Sequence, residues 1–126
     1  MQIVKVVTHW KCDRKGRRTF ALGPRQWLGY MQKAKYVVTN SFHGICFSLA
    51  LEKEVYIYAL KGDRSFTNPR IYSIMDQFSL QDRELSKVNL EHLNTMDYAQ
   101  INAVKAKWQD KSLQYLQQAI EGAIKE

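Results

Sequence analysis

The chain has 126 residues, 45% of them hydrophobic and 12% aromatic, with a formal net charge of +7. That length suits one domain spanning residues 1–126, and the apolar share excludes a disordered tail. No apolar run approaches the roughly 18 residues of a membrane span, and the start of the chain lacks the zones of a signal peptide, so the cytoplasm is the expected compartment.

From about Gln2 to Thr8 the chain reads as a strand with β-branched residues on both faces, as in a buried parallel sheet. His9 to Leu22 is basic and polar and reads as a loop, carrying Lys11, Arg14, Lys15, Arg17 and Arg18, with Arg25 just beyond. Such a run favours an anionic partner, yet no stacking motif accompanies it, so no nucleic-acid partner is expected. Gly23-Pro24 opens a helix, because proline is tolerated at the first helical position. Trp27, Leu28, Met31 and Ala34 fall on one face of that helix.

A second strand runs from Tyr36 to Asn40 and stops at the turn Ser41-Phe42-His43-Gly44. A helix follows to about Glu52, then a third strand from Val55 to Ala59, expected to be buried on both sides. After a loop, Asn68 suits an N-cap and Pro69 a first helical position. The next helix places Ile71, Ile74, Met75 and Phe78 on a core stripe. Ser79 to Met96 is polar and shows no clear period. From Asp97 a long amphipathic helix carries Ile101, Val104, Trp108, Leu113, Leu116, Ile120 and Ile124, packing on the sheet or on a missing neighbour.

Strand and helix alternating three times predicts an α/β domain with a parallel sheet and helices on both faces. Ligands in such sheets bind outside the carboxyl ends of the strands. The second strand brings Asn40, Ser41, His43 and Gly44 to that edge, and the third brings Lys61, Arg64 and Arg70. A histidine, a hydroxyl, a glycine and several cations at a helix N-terminus suit a phosphate or carboxylate. Histidine also serves as a general acid near neutral pH. The plain alternative is that His43 caps its helix or bonds a neighbouring carbonyl, with Lys61 and Arg64 as ordinary surface charges. Cys12 and Cys46 lack metal-ligand spacing and no glycine-rich nucleotide fingerprint is present, so neither a metal nor a cofactor is expected.

The stretch from Gly23-Pro24-Arg25-Gln26-Trp27-Leu28 through Ala34-Lys35-Tyr36 to Ser41-Phe42-His43-Gly44 resembles the polysaccharide pyruvyl transferase family. Pro69-Arg70-Ile71, Leu80-Gln81-Asp82-Arg83 and Lys111-Ser112-Leu113 are similar to later features of that family. The resemblance implies a three-layer Rossmann-like domain with a parallel sheet, resembling one half of a GT-B-type two-domain architecture. It implies transfer of pyruvyl from phosphoenolpyruvate to sugar hydroxyls as a ketal, in cell-surface polysaccharide synthesis.

By that resemblance His43 acts as general acid or contacts the donor, the backbone of Ser41 to Gly44 cradles the donor's anionic groups, and Asn40, Ser41, Phe42 and Gly44 line the site. Family members often carry arginine where this chain has Ser41, so Arg70 or Arg64 would supply the cation. The partners implied are phosphoenolpyruvate or a similar anionic donor, a glycan acceptor, and a missing N-terminal domain or partner chain. The expectation is a donor-side C-terminal half with little activity alone. The rival is a non-catalytic anion- or glycan-binding or assembly module with the same fold.

Overall fold

The structure, a computed structural model, describes residues 6–7, 20–62, 65, 68–89 and 91–124. The elements are β1 (Val6–Val7), β2 (Phe20–Ala21), α1 (Pro24–Lys33), β3 (Tyr36–Thr39), α2 (Phe42–Ala50), β4 (Glu54–Ile57), α3 (Asn68–Phe78), a 3-10 turn (Gln81–Arg83) and α4 (Tyr98–Ile124). Two parallel pairs form. β1 lies beside β2, with Val6 opposite Phe20 and Val7 opposite Ala21. β3 lies beside β4 in the register Tyr36–Glu54 to Thr39–Ile57. The loop expected through Leu22 is therefore interrupted by β2. A strand of two residues offers no alternation to read, and the basic run before it masks its apolar character.

Proline and glycine set the start of α1 as expected. Gly23 is the N-cap, Pro24 follows, and the Trp27 N–H donates to the Gly23 carbonyl at 3.0 Å. Met31 is buried, and Trp27 and Ala34 pack against the core. Leu28 departs from the expected face and is 40% exposed. It stands one step round the helix from the Trp27–Met31–Ala34 row, where solvent begins. The Trp27 ring meets Phe47 of α2 edge to face, centroids 5.0 Å apart, and joins the two helices.

β3, α2 and β4 form one βαβ unit. Beyond β4, Ile57 bridges Glu84 in parallel, and the Leu85 N–H donates to the Ile57 carbonyl at 2.7 Å. The chain thus steps in one direction across the sheet, from β3 to β4 to Glu84. Right-handed crossovers advancing in one direction stack their helices on one side. Accordingly Val37, Val55 and Ile57 gather with Met31, Ile45, Leu49, Ile71, Ile74, Met75, Leu80 and Ile101 in a single core. Burying each of its aliphatic side chains contributes roughly 1.5–3 kcal/mol.

Successive strand residues point to opposite faces, so Tyr36, Val38, Tyr56 and Tyr58 share the other side. There Val38 is 56% exposed and Tyr58 40%, so the strand buried on both sides stops at Ile57. The helices on both faces that the sequence predicts thus reduce, among the described residues, to four α-helices and the two-strand sheet β3–β4, with the core on one side.

Tyr56 is covered by Arg83, whose guanidinium lies 5.4 Å from its ring centroid. Arg83 is itself buried. It donates to Glu54 Oε2 at 3.0 Å and to the Asn94 carbonyl at 2.7 Å, while Glu54 Oε1 accepts the Met96 N–H at 3.0 Å. This knot ties the irregular 79–96 stretch to the sheet and delivers the chain to α4.

Candidate functional site

The turn from β3 into α2 is closed from both sides. Ser41 is the N-cap of α2, its Oγ accepting the Gly44 N–H at 3.4 Å and its carbonyl the Ile45 N–H at 3.0 Å. The Ser41 N–H in turn donates to Thr39 Oγ1 at 3.1 Å. Thr39 also explains Gly44, since a Cβ there would stand 2.5 Å from Thr39 Oγ1. Glycine is needed at this point so that the helix can approach the strand. One turn further, Ser48 is fully buried and donates Oγ to the Gly44 carbonyl at 2.7 Å.

These bonds narrow the cradle expected from the backbone of Ser41 to Gly44. Two of its four N–H groups, those of Ser41 and Gly44, serve the turn itself. The N–H groups of Phe42 and His43 stand at the first helical positions, where no carbonyl lies one turn back to receive them. α2 carries no acidic residue in its first turn, so the positive end of its dipole is uncompensated there. The His43 side chain is exposed, its ring edge to face with Phe42 at 5.8 Å between centroids. Phe42 is half-buried against the core. Asn40 is half-buried, Ser41 exposed and Gly44 buried. The turn therefore presents a histidine and two N–H groups on a rigid base.

Residues 11–62 match the polysaccharide pyruvyl transferase family model. The matched stretch runs through α1, β3, α2 and β4, so it includes His43 and the whole closed turn. Arg64 and Arg70 lie beyond it. No curated protein and no solved structure matches the chain.

At the next strand end the geometry differs. The Asn68 side chain does not serve as a simple helix cap. Its Oδ1 accepts the Leu60 N–H at 3.1 Å, and its Nδ2 donates to the Leu60 carbonyl at 2.9 Å. Asn68 is buried, so this double bond fixes the exit of β4 against the start of α3. Arg70 follows on the exposed side of the first turn of α3, and Lys61 is exposed at the β4 exit. Arg64 lies outside the described residues. β3 and β4 are parallel and adjacent, and the Tyr58 N–H donates to the Thr39 carbonyl at 3.2 Å. His43, Lys61 and Arg70 thus all follow strand ends at one edge of the sheet.

The sequence alone did not single out Thr39 or Ser48, and it read Asn68 as a helix cap where the side chain instead bonds Leu60; all three shape this edge. A serine four residues after a helix-opening glycine is the one local signal that pointed to Ser48. Cys46, on α2 behind the turn, is partly buried, and burial raises its thiol pKa. Among the described residues no His, Cys, Asp and Glu side chains gather as a metal site, and no helix is long and apolar enough to cross a membrane.

Proposed function

We propose that this chain is the donor-side half of a polysaccharide pyruvyl transferase. The observation that carries the reading is the closed Ser41–Gly44 turn, which presents His43 at the N-terminus of α2 within the family-matched stretch. In this reading the domain is one Rossmann-like half of a GT-B-type pair. A second, N-terminal domain or a partner chain supplies the other half and covers the exposed surfaces of the sheet and of α4.

Phosphoenolpyruvate binds with a negatively charged group at the N–H groups of Phe42 and His43. Arg70 and Arg64 balance its remaining charge, in place of an arginine at Ser41. Protonated His43 delivers its proton to the methylene carbon, which becomes methyl while C2 becomes oxocarbenium-like. One sugar hydroxyl adds to C2 and gives up its proton. The C2–O bond to phosphate then breaks, phosphate leaves with its electron pair, and a second hydroxyl closes the ketal and releases its proton. Preorganised N–H groups and cations stabilise the phosphate charge as it develops.

Calorimetry of phosphoenolpyruvate with the purified chain tests the donor half. Millimolar or tighter binding, weakened by His43→Ala and by Arg70→Ala in folded protein, is the expected result. A folded chain that takes up no phosphoenolpyruvate refutes a donor site in this domain standing alone. Pyruvylation of a glycan by the isolated chain would overturn its dependence on a partner.

A further inference from the structure

A cleft of about 480 Å³ opens at the carboxyl end of β4, between the strand exit, the N-terminal turns of α3 and the Glu84–Ser86 segment. Tyr58, Lys61, Tyr72, Glu84 and Ser86 line it, with Leu60 and Asn68 at its base. Its size falls within the range of about 300–1,000 Å³ usual for small-molecule sites. Both tyrosines are about two-fifths exposed, Tyr58 at 40% and Tyr72 at 41%, so each offers ring surface as well as a hydroxyl.

The Leu60–Asn68 double hydrogen bond fixes the base, and the Ile57–Glu84 bridge fixes the opposite wall. Glu84 Oε2 is held by Lys87 Nζ at 2.9 Å. That hydrogen bond, with the lysine charge, lowers the carboxyl pKa and keeps Glu84 an ionised acceptor.

The chemistry discriminates among ligand classes. A phosphate or carboxylate would meet the Glu84 charge as well as that of Lys61. A purely apolar ligand would strand the carboxylate, the ammonium and the hydroxyls. A neutral pyranose satisfies both sets, since its C–H faces pack on tyrosine rings and its hydroxyls donate to a carboxylate and accept from an ammonium.

We propose that this cleft binds an uncharged pyranose ring; its role as the acceptor subsite rests on the transferase reading above. The cleft stands one strand away from the His43 turn on the same sheet edge, so a sugar held there lies beside the donor.

The test is saturation-transfer NMR on the full chain, with methyl galactoside, methyl glucoside and methyl mannoside as probes. At least one glycoside is expected to receive saturation on its ring protons. Tyr58→Ala or Tyr72→Ala should weaken that binding by about tenfold, and Glu84→Gln by less. Tyr115→Ala, on exposed α4, should leave it unchanged. Amide shifts at Ala59–Lys61 and Leu85–Ser86 on adding the sugar provide a readout in the native chain should a tyrosine variant fail to fold. Absence of saturation transfer and amide shifts, binding that survives both tyrosine substitutions, or displacement of the sugar by uridine overturns the proposal. His43→Ala separates the two readings, since it should weaken phosphoenolpyruvate and leave the glycoside untouched. Sugar binding without donor binding would leave the cleft and remove the transferase; the reverse would remove the cleft alone.

Discussion

The two ends of α4 carry the same kinds of residues in opposite surroundings. At its start Ile101 is 5% exposed, while Ile120 is 59% and Ile124 78% exposed. The start is held by polar contacts as well as by packing. Asp97 Oδ1 accepts the Gln100 N–H at 3.2 Å, Asn102 donates to Glu52 at 2.8 Å, and the Tyr98 hydroxyl donates to the Lys53 carbonyl. Beyond Lys105 every residue through Ile124 is exposed, and local contacts remain, such as Gln117 to Glu121 at 2.9 Å and Lys111 over Trp108. Periodicity therefore specifies a helix and the face that seeks cover. It does not specify the cover. Each large aliphatic side chain left in water forgoes roughly 1.5–3 kcal/mol.

The sharpest way to break this contrast is truncation at both ends. Ile101→Ala is expected to cost about 2–5 kcal/mol in denaturant unfolding, and Ile120→Ala less than about 0.5 kcal/mol. An Ile120→Ala cost near that of Ile101→Ala would mean that the distal face is covered in solution. The anchored side depends next on Arg83. Arg83→Ala would strand the Glu54 carboxylate and free the Asn94 carbonyl, and should lower stability by about 2–3 kcal/mol.

Glycines sharpen the same contrast with opposite signs. Gly44→Ala must force apart the Thr39–α2 contact and should destabilise by about 1–3 kcal/mol. A Cβ at Gly122 meets nothing within 4 Å, so Gly122→Ala should stabilise the helix by up to about 1 kcal/mol. Thermal melts of the two variants should move in opposite directions.

The smallest effect is in pH. Burial, then the charges of Glu54 and Glu52, raise the Tyr98 phenol above its ordinary value. Its folded form therefore keeps the proton. The associated stability is fully present below the ordinary phenol value of about 10 and is lost as pH rises through the raised one. Denaturation midpoints of the native chain should fall more steeply above about pH 10 than those of Tyr98→Phe.

Much of the core was legible. Gly23-Pro24 placed the start of α1, apolar runs placed β3, α2 and β4, and three-and-four spacing placed Ile71, Ile74 and Met75 on the buried stripe of α3. The 79–96 stretch was not legible, because its order comes from contacts such as Arg83 with Glu54 and Met96 with Glu54, more than 25 residues apart. Leu28 shows the limit of a helical face drawn without its neighbours. At the candidate site, Ser41 and Gly44 were legible as a turn, but their internal bonds, from the Ser41 N–H to Thr39 Oγ1 and from the Gly44 N–H to Ser41 Oγ, reduce the N–H groups on offer to two. Such an exchange between capping and binding is visible only when the partner side chain is in place.

The paired hydrogen bonds between Leu60 and Asn68 have a further consequence. They close the connection from β4 to α3 into a ring at its neck, so the sheet and helix keep their geometry whatever length of chain is threaded through it. Closure entropy grows slowly with loop length, by about 0.6 kcal/mol per doubling. Segments of different length and chemistry can therefore be exchanged between Leu60 and Asn68 as cassettes, changing what is displayed above the strand end while the scaffold beneath stays the same.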